Sequence, residues 1–272
     1  MKVLKFGGTS VGSSDNINKI IEIISKNEPE NSQVVVVSAF SKVTNLLLEA
    51  ASLASLNKNL YKTVLQDIKS IHLNIIFELI PKKDQPDLLQ YIQDIFIELE
   101  QVLGSVSMLN ELSPKSEANI VSKGEILSSY IITYAMQLKK IDAIRKDARD
   151  LIITDNSYTN ATIDFKETNK RIHLFFKNIN SKVIVLPGFI SSSQNGDTTV
   201  LGRGGSDFTA AIVAAALDAS ILEIWTDVSG MYTANPKLVS QAFPIDIISY
   251  EEAMELSHFG AKVIYPPTIH PV

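Results

Sequence analysis

The chain has 272 residues, 45% of them hydrophobic and 20% charged, with a formal net charge of −5 and no cysteine. That balance excludes nucleic acid as the main partner, which needs a dense basic face, and the missing cysteines exclude disulfides, thiolate chemistry and Cys-ligated zinc. The start MKVLKFGG has no apolar signal core and no run approaches a membrane span, so a cytoplasmic location is the default expectation, and the length suits one large α/β domain or two small ones. An acidic chain binds anions only by gathering cations locally, so the informative places are Lys and Arg beside glycine-rich turns.

Met1–Phe6 reads as a strand ending in Gly7-Gly8-Thr9-Ser10, and apolar spacing over Asn16–Lys26 predicts a helix. Gly7 and Gly12 are spaced like the start of a Walker A loop, but Ser13 stands where the lysine is required, so a P-loop is not expected. A lysine comes instead on the strand, at Lys5, on the same face as Val3; the bland alternative is a solvated strand residue. Four valines in Gln33–Ser38 predict a strand buried on both faces of a parallel sheet. Ligands gather outside the carboxyl ends of such strands, where Ser38 and Thr44 are placed to donate hydrogen bonds, although Thr44 alone equally suits a helix N-cap. Residues 57–112 are helical in pattern, interrupted by Pro81–Pro86, and form a helical insert or cap in which His72 reads as an ordinary surface histidine. Ser113-Pro114-Lys115 starts a further helix. Gly124 costs its interior roughly 1 kcal/mol, and beside Glu125 it suggests the close approach of a ligand.

Ile141–Ala148 and Leu151–Thr154 look like short strands, Asp155–Asn160 a loop and Lys166–Asn178 a helix. Val183–Leu186 predicts another buried strand, ending in Pro187-Gly188-Phe189-Ile190, and Ser191–Gly196 a turn with Asn195-Gly196 at a hairpin tip. The centre of the chain is Gly202-Arg203-Gly204-Gly205-Ser206-Asp207, followed by an Ala-rich run, Phe208–Leu217, that predicts a buried helix. Ser206 or Asp207 falls at its N-cap or first turn. Glycines, a helix N-terminus and Arg203 together make an anion site; the alternative is an ordinary capped turn. Ile221–Trp225 predicts a strand ending in Thr226-Asp227, Tyr232–Lys237 a loop, and Tyr250–Ser257 a helix.

Four segments now stand in one order: Lys5-Phe6-Gly7-Gly8-Thr9-Ser10, Gly202–Asp207, Trp225-Thr226-Asp227 with Gly230 and Tyr232, and Phe259-Gly260-Ala261-Lys262. In these the chain resembles the catalytic domain of aspartokinases, in the amino-acid kinase superfamily. Lys123-Gly124-Glu125 and the helical insert match the same family. The resemblance implies an α/β fold, a three-layer αβα sandwich with a mostly parallel central sheet. It implies one catalytic domain, 1–272, with an aspartate-binding lobe at 1–200 carrying the helical insert 57–138, and a nucleotide-binding lobe at 201–272. It also implies ATP and Mg²⁺ as cofactors, L-aspartate as substrate with 4-phospho-L-aspartate as product, and a homodimer in the full-length protein.

Roles carried over by the resemblance are expectations. Lys5 and the Gly7, Gly8, Thr9 and Ser10 amides hold the transferring phosphoryl group, with Lys262 reaching the nucleotide phosphates. Arg203 suits the α-carboxylate of aspartate, because its planar fork matches a carboxylate. Glu125 and Asp207 suit the substrate ammonium, and Asp207 also the ordering of the lysine. Ser38, Thr44, Phe189, Gly204, Gly205 and Ser206 complete the amino-acid pocket, and Thr226, Asp227, Tyr232 and Lys237 fall at nucleotide positions. The sequence departs from the family in Asn235-Pro236-Lys237, where Asp-Pro-Arg is common, and in Tyr265-Pro266-Pro267, where His-Pro is common. Ending at Val272, it reads as a catalytic domain with regulatory modules absent. The rival readings are another amino-acid kinase acting on a different small carboxylate, a non-catalytic nucleotide-binding module, and a Rossmann dehydrogenase. Asp207 disfavours the last, because it replaces the final glycine of that fingerprint.

Overall fold

Val34, Val35, Val36 and Val37 are fully buried, as a strand covered on both faces must be. A computed structural model describes residues 1–27, 32–236 and 238–258. The strands are β1 (Lys2–Phe6), β2 (Gln33–Val37), β3 (Ala143–Arg145), β4 (Ile153–Thr154), β5 (Val183–Pro187), β6 (Ile190–Ser193), β7 (Thr198–Val200) and β8 (Ile221–Trp225). Five form an all-parallel sheet in the order β3-β5-β2-β1-β8. Lys5 pairs with Val36 on one side and Ile224 on the other, so the amino-terminal strand is paired on both sides within the sheet. The other three make a small sheet, β4-β6-β7, parallel then antiparallel.

The helices are α1 (Ser14–Asn27), α2 (Val43–Ser55), α3 (Tyr61–Leu79), α4 (Pro86–Leu109), α5 (Pro114–Leu138), α6 (Phe165–Lys177), α7 (Gly205–Ala216) and α8 (Tyr250–His258). α5 packs against β2, β3 and β5, and α7 against β1, β2 and β8, so helices flank the parallel sheet as expected. Local chemistry sets several helix starts. The Ser113 hydroxyl accepts the Ser116 amide at 3.1 Å, with Pro114 in the first helical position, where its missing N–H costs nothing. Asp164 caps α6 in the same way through the Glu167 amide at 3.0 Å.

Four expectations need correction. His72 is fully buried, because it lies four residues after Ile68 and four before Ile76, on the inward stripe of α3. Its ring sits 5.1 Å from that of Phe40 and 5.7 Å from that of Phe96, its Nδ1 meets the Ile68 carbonyl at 2.7 Å, and burial lowers its pKa to about 4. The serine run is strand rather than turn. Ser191 and Ser192 are buried in β6, and Ser191 Oγ and Thr199 Oγ1 share a hydrogen bond of 2.9 Å. Only the tip is a turn, with Gly196 at φ +82°. The strands near 141–154 shrink to β3 and β4, because Ala148–Asp150 turn as a 3₁₀ helix capped by Asp147. Gly124 admits a protein neighbour rather than a ligand: a Cβ there would stand 2.8 Å from Ala39 Cβ and 3.3 Å from Val43 Cγ1. It lets α5 lie against the start of α2.

Candidate active site

The carboxyl ends of β1, β2 and β5 deliver three loops to one cleft of about 810 Å³. It is lined by Lys5, Gly7, Gly8 and Thr9 from the first, by Ser38–Lys42, Thr44 and Asn45 from the second, and by Phe189 after β5. Gly202–Asp207 close it from the start of α7, Glu117, Val121 and Glu125 project from α5, and Thr159 and Thr226 complete it. Most of the predicted substrate and phosphoryl residues are thus brought together from positions as far apart in the sequence as Lys5 and Asp207.

Its central contact joins the two glycine-rich motifs. Lys5 Nζ lies 2.5 Å from Asp207 Oδ1, and both side chains are largely buried. Because β1 lies in the sheet interior, Lys5 is 8% exposed, which rules out the solvated strand residue. A Cβ on Gly7 would stand 3.5 Å from Lys5 Nζ, so the ammonium reaches up to the glycine loop. Within that loop Gly7 N–H goes to Trp225 O and Val11 N–H returns to Gly7 O. The Gly8, Thr9 and Ser10 amides have no protein acceptor among the described residues. α7 starts from Gly204 in the left-handed region (φ +68°), and Phe208 N–H is the first to return, to Gly204 O. The Ser206 and Asp207 amides of its first turn are likewise without acceptors among the described residues. Thr44 is not the N-cap of α2: Lys42 is, and Thr44 follows in the first turn. Two helix N-termini and a glycine loop therefore converge, the arrangement that favours anions.

Glu125 has the opposite problem. It is 3% exposed, its Oε1 accepts the Ala39 amide at 3.3 Å, and its Oε2 is buried without a partner. Desolvation outweighs the hydrogen bonds and raises its pKa to about 8. Close packing fixes the walls. A Cβ on Gly188 would fall 2.7 Å from Ser206 Cβ, and one on Gly205 2.7 Å from Phe189 Cδ2. Phe189 itself holds φ +67°. Arg203 is exposed on the rim and has no ion pair among the described residues.

The predicted nucleotide residues are less gathered. Thr226 lines the cleft, while Asp227 joins Thr9, Ser10 and Trp225 around a neighbouring hollow of about 230 Å³. Ser10 Oγ donates to Trp225 O at 3.3 Å. Tyr232 lines neither space, and its backbone bridges to Pro244. Lys237 and Lys262 lie outside the described residues. Sequence reading missed Lys42 and Glu117. The spacing 117, 121, 125 along one helix face was the signal available for Glu117.

The model of the amino acid kinase family matches residues 1–272. The chain is 36% identical over 276 aligned residues to the bifunctional aspartokinase/homoserine dehydrogenase of Buchnera aphidicola, covering 100% of this chain and 34% of that one. Against the lysine-sensitive aspartokinase 3 of Escherichia coli it is 35% identical over 275 residues, covering 99% and 58%. The chain thus spans between a third and three fifths of the length of these relatives. The solved structure of E. coli aspartokinase III in complex with aspartate and ADP (R-state) superposes with a TM-score of 0.90 at 34% identity, over 100% of this chain and 59% of the other. A family model matched end to end, and a shared fold at this identity, agree with the cleft built above: the chain belongs to the amino acid kinase family.

Proposed function

We propose that this chain is the catalytic domain of an aspartate kinase, transferring the γ-phosphoryl group of ATP to the β-carboxylate of L-aspartate. The observation that carries the reading is the Lys5–Asp207 ion pair at 2.5 Å, which ties the phosphoryl loop to the amino-acid loop. The fold likeness to a structure holding aspartate and ADP supports it. An oxygen of the β-carboxylate forms a bond to the γ-phosphorus as the bond from that phosphorus to the bridging oxygen breaks, and the electron pair leaves on ADP. The carboxylate is already ionised at neutral pH, so the chain supplies no base. Its work is alignment and charge stabilisation.

In this reading Lys5 and the free amides of Gly8, Thr9 and Ser10 hold the moving phosphoryl group, and Asp207 aims Lys5. Arg203 takes the α-carboxylate. The substrate ammonium fills the vacant side of Glu125 and draws it into the ionised state. Ser38, Thr44, Phe189 and the Gly204–Ser206 backbone shape the pocket, with Thr226, Asp227, Tyr232, Lys237 and Lys262 on the nucleotide side. Mg²⁺, when bound, neutralises phosphate charge; it favours oxygen ligands and is usually held through substrate phosphates and one or two carboxylates. No group of three or more His, Asp or Glu side chains that could hold a metal ion occurs among the described residues. Among the described residues no helix is long and apolar enough to cross a membrane. A panel of small carboxylates, with ADP release as the readout, tests the substrate. L-aspartate should exceed L-glutamate by at least tenfold in kcat/KM, and preference for another acceptor would overturn the assignment.

A further inference from the structure

Among the described residues, seven non-glycine residues hold a positive φ: Lys42, Asn57, Asn110, Lys140, Tyr158, Phe189 and Asp218. Asn57, Asn110, Lys140 and Asp218 follow or close the ends of α2, α4, α5 and α7, where the left-handed conformation is the ordinary way to stop a helix. Lys42 does the reverse, beginning α2 at φ +69° with no side-chain capping bond. Its counterpart at α7 is Gly204 at φ +68°. The same backbone device thus opens both helices that point at the cleft, once with the residue that adopts it freely and once with a lysine. Glycine adopts this conformation freely, so the Lys42 side chain stands there at a conformational cost. Strain of this kind concentrates where a side chain serves a site.

Position and charge say which service. The segment before Lys42 rests on the phosphoryl loop: a Cβ on Gly8 would stand 3.1 Å from Ala39 O, and one on Gly12 3.0 Å from Ser41 Cβ. Lys42 lines the cleft, is exposed, and has no ion pair among the described residues. Of the three cations lining the described cleft, Lys5 is held by Asp207, and Arg203 lies on the α7 loop. Among the described residues lining the cleft, Lys42 is a cation without an ion pair that lies beside the Gly7–Ser10 loop, where an acceptor carboxylate and a phosphoryl group approach each other in the reading above.

We propose that Lys42 is a further anion-binding residue of this cleft, contacting the acceptor carboxylate and the phosphoryl group moving onto it. The inference rests on the phosphoryl-transfer reading above. The test compares Lys42→Gly, Lys42→Met and Lys42→Arg with the unaltered chain, in aspartate-dependent ADP release and in thermal unfolding. Lys42→Gly should lower kcat/KM for aspartate roughly 10- to 100-fold, the value of a charge-assisted contact, while its Tm stays level or rises. Lys42→Met should lose activity similarly without the gain in Tm, and Lys42→Arg should recover most of it. Unchanged kcat/KM in Lys42→Gly, or an activity loss that tracks a fall in Tm, overturns the role of Lys42 alone. Absence of aspartate-dependent turnover in the unaltered chain instead overturns the substrate reading, and this inference with it.

Discussion

Replacing Glu125 by Gln separates its burial from its use. The carboxyl is enclosed, with one oxygen on the Ala39 amide and the other without a partner, and its pKa rises from 4.5 to about 8. Between those values the folded state holds a proton that the unfolded state has released, so stability falls as pH rises through the window. At about 1.4 kcal/mol per unit, the wild-type chain loses about 3 kcal/mol by pH 7 relative to pH 4.5. Gln reproduces the protonated shape and carries no charge, so Glu125→Gln should be the more stable protein by about that amount at pH 7. In substrate binding the order reverses. Without a carboxylate for the ammonium, KM for aspartate should rise about 10- to 100-fold while KM for ATP changes little. Denaturant unfolding at pH 5, 7 and 8, beside steady-state kinetics, measures both. Parallel pH profiles for the two proteins would refute the buried-proton argument, and equal effects on both substrates would make Glu125 structural.

His72 has the opposite slope, because its pKa falls from 6.5 to about 4: the unfolded state takes up the proton first, and stability is lost as pH drops through that range. The two groups offset each other between about 4.5 and 6.5, so His72→Phe should expose a falling profile there and Glu125→Gln a rising one, read by unfolding at pH 4.5, 5.5 and 6.5. Lys5→Ala should lower turnover about 10²- to 10³-fold with the circular dichroism spectrum unchanged; near-full activity would remove Lys5 from the phosphoryl site. Gly124→Ala forces a Cβ to within 2.8 Å of Ala39 Cβ and should cost about 1–3 kcal/mol, measured as a drop in unfolding midpoint. Arg203→Lys should raise KM for aspartate, since a point charge replaces a planar fork.

The parallel strands and the glycine loops of the cleft are legible because their signals are local: a run of valines, a strand entering glycines, an Ala-rich helix behind Gly202–Asp207. The fate of Lys5 was less so. Alternation along β1 assigns it a face, but only the pairing of β1 between β2 and β8 makes that face interior and brings Asp207 within reach. At His72 and in the serine run, polarity suggests exposure, whereas helix spacing and buried hydroxyl pairing decide those positions. Gly124 suggests a ligand in the sequence and meets Ala39 and Val43 in the fold, since sequence does not say which element crosses a helix. Lys42 gave no sign at all, because a strained backbone angle is a property of the folded loop.

Transfer of phosphate onto a carboxylate in this cleft is read by phosphorus-31 NMR of the chain with ATP, Mg²⁺ and L-aspartate, with hydroxylamine added at the end. An acyl phosphate signal should grow with ADP, require aspartate, and disappear on hydroxylamine with formation of the aspartyl hydroxamate. ADP accompanied only by inorganic phosphate, at a rate indifferent to aspartate, would rule the transfer out.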